Sequence, residues 1–501
     1  MQTTEHTTDL ISRAQEHGDR IAIVEGDRQI SYRELLDRSA RIAAGLLDNR
    51  ADLDEQRVAM LFPAGIDYAS AQWGIWRAGG IAVPLNLGAT LPEIEHVLTT
   101  AQVSNLVTAA PYRDKVQTLC AQLGIRVLDL AEMNSPSTPA LPRLTADRRA
   151  MILFTSGTTS KPKGVVSTHG GIAAQIRSLV NAWGWRQDDR IPLFLPMHHI
   201  HGIVNIQSCA LWCGARVRTF PAFDMQSILP RVAAREFTLF MAVPTIYVKL
   251  IEGINALGPD ARKPVCEGFA GMRLMVSGSA ALPVEIHRTW EGLTGQTLLE
   301  RYGMTEIGMA LSNPLQGERR PGAVGMPLPE VEIRLVTEQG EVIQAEDVPG
   351  EIQVRGPAVF KEYWNDPNAT AKSFVDGWFR TGDMAVIERG YYRIMGRLSV
   401  DIIKSGGYKL SALEIEDALL RHPGIAECAV VGVPDDTWGE AVAVAVVPKA
   451  GHSLELEALR DWAGERMSRY KLPKLLQVVP KLPRNAMGKV TKPEVRRLFE
   501  I

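Results

Sequence analysis

Phe154–Val166 reads FTSGTTSKPKGVV, a short run of small and hydroxylated residues that follows an apolar stretch and leads into a helical pattern. Thr155, Ser156, Gly157, Thr158, Thr159 and Ser160 supply hydroxyls and unhindered backbone N–H groups, and Lys161 and Lys163, either side of Pro162, supply positive charge. Donors and cations packed this densely can wrap a polyphosphate. The stretch does not match GxxxxGK[ST], so it is not the loop of the P-loop NTPases. Read alone, it also fits a plain Gly/Ser-rich surface turn.

Around this loop the chain alternates helical patterns with short apolar runs. YRELLDRSARIAAGLLDN (Tyr32–Asn49) has apolar residues at helical spacing, RVAMLFPAG (Arg57–Gly65) reads as a buried strand ending in a turn, and AQWGIWRAGG, IAVPLN and FTLFMAVPT repeat the theme. Such alternation predicts layered α/β structure with mostly parallel sheets. After about residue 325 the period drops to two in VEIRLV and GEIQVRG, which predicts antiparallel hairpins and a small β-barrel. GRLSVDIIKSGGY (Gly396–Tyr408) gathers glycines and charges as a boundary would, and beyond it lies an α+β pattern of about a hundred residues. The expected architecture is α/β: a large N-terminal domain of layered subdomains plus a barrel (1–397), a hinge (398–401) and a small mobile C-terminal α+β domain (402–501).

Composition excludes several classes. The 501 residues carry a formal net charge of −2, which makes no case for a nucleic-acid partner. No apolar run reaches the roughly 18 residues of a membrane span. The first twenty residues lack the apolar core of a signal peptide and the Arg-rich, acid-poor character of a transit peptide. Five cysteines without a CxxC pair read as small buried hydrophobes in a reducing compartment, by default the cytoplasm.

Further stretches carry chemistry. LLERYGMTEIG (Leu298–Gly308) places an apolar strand before Tyr302, Thr305 and Glu306: an aromatic for a base, a hydroxyl for phosphate, a carboxylate for Mg2+. A Thr-Glu pair is also an ordinary helix N-terminus. WFRTGDMA and the GR that follows add Asp383 and Arg397, suited to a ribose diol, and KLPRNAMGKV presents Lys489 in a Pro/Gly-bracketed turn, where it also fits an ordinary solvated surface lysine. The ordered set TSGTTSKPKG, ERYGMTE, RTGD, GRLSVDIIKSGGY and PRNAMGK resembles the adenylate-forming superfamily of acyl-CoA synthetases, luciferases and peptide-synthetase adenylation domains, over nearly the whole chain.

That resemblance implies roles. Thr155 to Lys163 would close over the ATP β- and γ-phosphates, Thr305 would touch the α-phosphate, Glu306 would hold Mg2+, and Ser279 and Ala280 in VSGSAALP would line the adenine. Asp383 and Arg397 would bind the ribose, and Lys489 would reach the α-phosphate and carboxylate as they join. In the second half-reaction a rotation about Leu398–Asp401 would bring Lys404, Gly406 and Gly407 to the site for coenzyme A. The stretch is one residue longer before IIK than in many relatives, which leaves Ser399 and Asp401 as alternative pivots.

The acid is read from charge. PMHHIHGIV (Pro196–Val204) holds the superfamily's HxxG element, which implies His199 as the usual gate over the acyl site and His201 facing the pocket; the three histidines also fit plain partly buried polar groups. Arg301 stands just before Tyr302, and Lys249 lies in VPTIYVKL. A pocket for fatty or aryl acids has no use for buried cations, whereas a dicarboxylate pairs with them. Arg301 could instead serve Glu300 or Glu306, and Lys249 could be a solvated helix lysine. ERYGMTEIGMALSNPLQGERRPGAVG and SVDIIKSGGYKLSALEIE resemble the malonyl-CoA synthetase branch, which implies that Arg301 and Lys249 hold the free carboxylate of malonate. Lys in place of the Arg of some bacterial relatives loosens the grip and admits methylmalonate. The alternatives are a CoA ligase for another short acid, an adenylation enzyme loading a carrier protein, or a nucleotide-binding protein without catalysis.

Overall fold

The apolar runs of the first part of the chain pair as parallel strands because helices cover both sheet faces. In the computed structural model, which describes residues 9–133, 140–155, 162–405, 408–484 and 490–500, Ile81–Pro84, Arg57–Leu61 and Asn105–Thr108 lie side by side and parallel. They form the middle of a seven-stranded sheet, with Arg126–Asp129 at one edge and Arg149–Thr155, Lys163–Thr168 and Glu362–Tyr363 toward the other. The opening loop joins Arg149–Thr155 to Lys163–Thr168, an antiparallel pair in which Thr155 faces Lys163. The two feet of the loop are thereby pinned at one end of the sheet. The helix His169–Trp183 follows at once, its N-terminus capped by the Thr168 hydroxyl, which accepts from Gly171 N.

The expected Tyr32 helix runs from Tyr32 to Leu47 behind a Ser31/Glu34 capping box and stops where Asp48 takes a left-handed φ of 45°. It packs with Trp73, Trp76, Tyr68 and many aliphatic side chains in one large core. A second sheet orders Leu239–Ala242, Leu274–Ser277 and Leu299–Met304 in parallel, then Gly308–Ser312 and Met326–Pro327 antiparallel. The strand expected to end before Tyr302 continues through Met304, because Tyr302 pairs with Leu311 and Met304 with Gly308. Thr305 and Glu306 therefore sit in the turn between two strands, and the helix-N-terminus alternative falls.

VEIRLV and GEIQVRG pair antiparallel as Glu332–Val336 and Gly350–Arg355, joined by Trp378–Glu388 and Tyr391–Arg397 around a core of Phe360, Phe379, Ile352 and Val354. From Ile402 on, Tyr408–Ser411, Ile402–Ser405, Gly439–Pro448 and Ile425–Asp435 form a separate sheet, with Leu475–Val478 parallel to its long central strand. This sheet has its own core on each face, one around Ile415, Val430 and Val444 and one around Val431, Ala443 and Val495.

Few polar contacts tie this part to the rest. The Ser411 hydroxyl donates to Met395 O (2.5 Å), Lys404 Nζ meets the Glu338 carboxylate (3.1 Å), and Val284 N donates to Asp417 (3.3 Å). Between the two parts, Asp401 closes a tight turn: its carboxylate accepts from Arg397 N (3.0 Å), its N–H donates back to Arg397 O (2.8 Å), and Lys492 Nζ stands 3.6 Å from it. Among the described residues no helix is long and apolar enough to cross a membrane.

Candidate active site

Three groups of side chains meet where the strands just described end. The first stands at the foot of the opening loop. Ser156, Gly157, Thr158, Thr159, Ser160 and Lys161 lie outside the described residues, but the loop's ends are fixed. The Pro162 carbonyl accepts from His96 Nε2 at 3.0 Å. Lys163 reaches over the ring of Tyr363 (5.1 Å) and toward Asp366 (4.0 Å). The Tyr363 hydroxyl in turn donates to Glu306 at 3.0 Å. One tyrosine thus holds the base of the loop beside the turn that carries Thr305 and Glu306. The sequence offered no sign of Tyr363, because its place depends on pairing with Val165 in the edge of a distant sheet.

The second group is internally paired. Asp383 and Arg397 are cross-strand partners, with Nε and Oδ1 at 3.3 Å. The Tyr302 hydroxyl donates to the other Asp383 oxygen at 2.6 Å. Burial raises the Asp383 carboxyl, while Arg397 and the Tyr302 hydrogen bond pull it down. Burial and the neighbouring carboxylate hold Tyr302 well above the usual phenol range, so it remains a donor. Glu306 is also buried, which raises its carboxyl, and Tyr363 and Arg397 oppose that shift. It has no ion pair among the described residues. A buried carboxylate with unused acceptor capacity fits a hard divalent cation, which takes oxygen ligands and would supply the missing charge.

The third group is a buried cation without an anion. Arg301 is 4% exposed, and among the described residues it makes no salt bridge. Its Nη2 donates to Ser279 Oγ at 3.2 Å, and its Nε is buried with no partner. Burial lowers its pKa to about 10, so the guanidinium keeps its charge at neutral pH. Ser279 also sits 3.3 Å from His201 Nδ1, whose ring is buried with Nε2 unpartnered. Burial, then the neighbouring Arg301 and His199 charges, push His201 well below the usual histidine range and keep it neutral. Ser279 holds a left-handed φ of 70°, a strained backbone that turns its hydroxyl between the two groups. Gly278 leaves the room required, since a Cβ there would stand 2.6 Å from the Arg301 guanidinium carbon. Arg301 serves neither Glu300 nor Glu306: Glu300 turns to the other face of its strand, where it meets His287 at 3.1 Å and accepts from Gly322 N at 2.9 Å.

Other expected residues stand apart from these groups. Lys249 lies exposed on the helix Pro244–Asn255, on the side where Thr245 and Glu252 are exposed, with no ion pair among the described residues. The expectation that it shares a pocket with Arg301 is therefore not met by any described contact: the helix buries Tyr247, Leu250 and Ile251 and turns position 249 to water. His199 is half-buried, its ring 4.0 Å from that of His198, whose pKa burial lowers to about 3. Ala280 is exposed beside Ser279, and Lys404 is turned to Glu338. Gly406, Gly407 and Lys489 lie outside the described residues.

Known proteins resemble this chain over nearly its whole length. Residues 10–364 match the family described as AMP-binding enzyme, and residues 414–489 match the AMP-binding enzyme C-terminal domain. The chain is 43% identical to the malonate–CoA ligase, mitochondrial, of Mus musculus, over 98% of its own length and 91% of that protein's. It is 38% identical to the malonate–CoA ligase of Arabidopsis thaliana, over 98% and 88%. The crystal structure of ATP-bound MatB from Rhodopseudomonas palustris superposes with a TM-score of 0.89 at 34% identity, over 98% and 99% of the two chains. A malonyl-CoA ligase ternary product complex with methylmalonyl-CoA and AMP gives a TM-score of 0.70 at 35% identity, over 95% and 100%.

Proposed function

We infer the reaction from one premise: the chain belongs to the AMP-binding enzyme family. It is an ATP-dependent acid–thiol ligase that joins malonate to coenzyme A, through malonyl-adenylate and pyrophosphate. The observation that carries the substrate is Arg301, a buried guanidinium with an unpartnered Nε and no carboxylate of its own. Isolating a charge in this way is costly unless a ligand supplies the counter-charge. The distal carboxylate of malonate does so, with Ser279 and neutral His201 as neighbouring polar contacts. The proximal carboxylate is left toward the strand end, where Tyr302, Thr305 and Glu306 follow in sequence.

A carboxylate cannot pass its acyl group to a thiol while oxide is the leaving group. Attack by its oxygen on the α-phosphorus of ATP forms the acyl–phosphate bond and breaks the bond to pyrophosphate. The thiol sulfur of coenzyme A then attacks the acyl carbon, loses its proton and expels AMP. The first step brings an anion onto a polyanion, so positive charge at the reacting oxygens is the main need. Lys489, with Lys163 and the rest of the opening loop on the outer phosphates, is assigned to that need. Glu306 would hold Mg2+, whose chemistry is charge neutralisation on the phosphates. Asp383 and Arg397 take the ribose, and residues 398–401 are assigned as the hinge that presents Lys404, Gly406 and Gly407 for thioester formation. Methylmalonate is assigned as a second acid. The cytoplasm is the proposed compartment; the mouse relative bears the word mitochondrial in its name.

The test is the initial rate of AMP formation with coenzyme A and malonate, methylmalonate, succinate, acetate, butyrate or benzoate, for wild type and Arg301→Ala. Malonate should lead, and the variant should lose that lead. If acetate or butyrate leads and the variant leaves selectivity unchanged, the substrate assignment is wrong.

A further inference from the structure

The turn that carries Thr305 and Glu306 is held by two separate parts of the chain. One is the segment around Tyr363: Phe360 N donates to the Glu306 carbonyl at 2.7 Å, and the Tyr363 hydroxyl donates to the Glu306 carboxylate. The other is Gln175, in the second turn of the helix His169–Trp183. This side chain is 3% exposed, and its Oε1 accepts from Met309 N at 2.5 Å.

The local backbone leaves a place for it. Tyr302 pairs with Leu311 and Gly303 with Met309, so the return strand has one residue more than its partner, and Ala310 is the extra one. Ladder bonding is disrupted beside such a bulge, and a buried backbone N–H there needs an acceptor, which for Met309 is a side chain. Gly308 makes the approach possible. It holds a left-handed φ of 66°, and a Cβ there would stand 1.5 Å from Gln175 Oε1. Two further contacts fix the helix: Ser178 Oγ donates to Pro329 O at 2.8 Å, and Trp183 Nε1 donates to Ser312 Oγ at 3.0 Å. Gln175 Nε2 is buried and has no partner among the described residues, so the acceptor oxygen alone makes the contact.

We propose that Gln175 is a positioning residue for adenylation: by holding Met309 it sets where Thr305 meets the α-phosphate and where the Glu306 carboxylate meets the divalent cation. The helix that carries it begins directly after Lys163–Thr168, the strand on which the opening loop ends. One helix thus connects the part of the site assigned to the outer phosphates with the part assigned to the α-phosphate and the cation. A glutamine that served packing alone would need neither the bulge nor the glycine, since an apolar side chain fills the same volume without an N–H to meet. The proposal rests on the malonate–CoA ligase reading above, since it names what sets the geometry of that reaction's first step.

Gln175→Met keeps the volume and removes the acceptor. Its affinity for the Mn2+–ATP complex, read by water-proton relaxation, should fall about tenfold, the worth of one buried hydrogen bond, while metal-free ATP binds as in the wild type. The kcat of malonate-dependent pyrophosphate exchange should fall by a similar factor with the KM for malonate unchanged. Transfer from pre-formed malonyl-adenylate to coenzyme A should keep its rate, which also shows that the variant is folded. Gln175→Glu keeps an acceptor oxygen, and burial holds it protonated, so it should restore Mn2+–ATP affinity and exchange at about pH 6. Gly308→Ala should reproduce the loss, because its methyl displaces the Gln175 amide, and adding Gln175→Met to it should make nothing worse. Equal loss in both half-reactions, equal loss of Mn2+–ATP and metal-free ATP binding, or additive losses in the double variant would each overturn the proposal. Absence of malonate-dependent exchange in the wild type would instead overturn the ligase reading itself.

Discussion

The two halves of the site treat charge in opposite ways. On the nucleotide side, Asp383 is matched by Arg397 and by the Tyr302 hydroxyl, and Glu306 receives the Tyr363 hydroxyl. On the acyl side, Arg301 and His201 share one serine hydroxyl and leave Nε and Nε2 buried without partners. Groups that recognise neutral sugar hydroxyls can be satisfied before the ligand arrives and still orient it. A group that must neutralise a second carboxylate has to be kept unpaired, and the protein bears the desolvation cost until the acid binds. On the proposed reading the paired half positions the nucleotide, and the unpaired half chooses the acid.

The largest expected effect tests the chemistry common to both halves. Lys489→Ala should lower malonate-dependent pyrophosphate exchange by two or more powers of ten, as loss of a single electrostatic donor does elsewhere. Transfer from pre-formed malonyl-adenylate to coenzyme A should remain measurable, since that step develops no new charge on the polyphosphate. Equal loss in both steps would remove Lys489 from the role given to it.

Arg301→Met sharpens the contrast itself. Charge-assisted hydrogen bonds contribute about 1.5–3 kcal/mol, so kcat/KM for malonate should fall roughly ten- to a hundredfold while that for butyrate holds or rises. The ligand-free variant should also unfold at a higher temperature than wild type, because a buried unpaired charge has been replaced by a side chain of similar volume. A variant that loses both malonate activity and stability would show that Arg301 is a structural residue. A comparable change on the paired side, Asp383→Asn, should lower activity with every acid alike.

The pH dependence follows from the same burial. His201 is held neutral well below its usual range, and the Arg301 pKa is lowered to about 10. The malonate-to-butyrate ratio of kcat/KM should therefore stay flat from about pH 6 to 9 and decline as Arg301 neutralises near 10. For stability the sign is fixed by linkage: the folded state binds this proton less tightly than the unfolded chain does. Charged Arg301 thus destabilises the fold at neutral pH, and that penalty lifts only as the pH rises above about 10. A decline of the ratio between pH 6 and 7 would mean that His201 carries a charge the geometry denies it.

How much of this was legible in the sequence depended on whether the partners were neighbours in the chain. The loop Thr155–Lys163, the Thr305–Glu306 turn and Asp383 lie in contiguous stretches whose residue types match their chemistry. The strand alternations and the long helix from Tyr32 likewise follow from local pattern. Tyr363 was invisible, because it reaches Glu306 only through a sheet edge about two hundred residues away from its partner strand. The orientation of Arg301 was also beyond local reading. Period-two alternation says that Arg301 and Glu300 point to opposite faces, but which face holds His287 and which holds His201 is decided by helix packing between distant segments.

Lys249, whose role was read from its charge in an apolar stretch and from the family resemblance, stands exposed in the fold and gives the smallest expected effect. A cation in a mostly apolar stretch suggested a buried partner for a carboxylate, yet the helical period puts Tyr247, Leu250, Ile251 and Ile254 inward and leaves position 249 in solvent. An exposed charge acts through water and counter-ions, where pair energies run about 0.2–1 kcal/mol. Lys249→Ala should therefore lower kcat/KM for malonate by no more than about two- to fivefold, and the loss should shrink further at high salt. Lys249→Arg should then be close to wild type, because a planar fork has nothing to gain on a freely hydrated carboxylate. A salt-insensitive loss as large as that of Arg301→Met would require the helix Pro244–Asn255 to turn this side chain inward when malonate binds, making the unpaired half of the site a two-cation pocket assembled by its substrate.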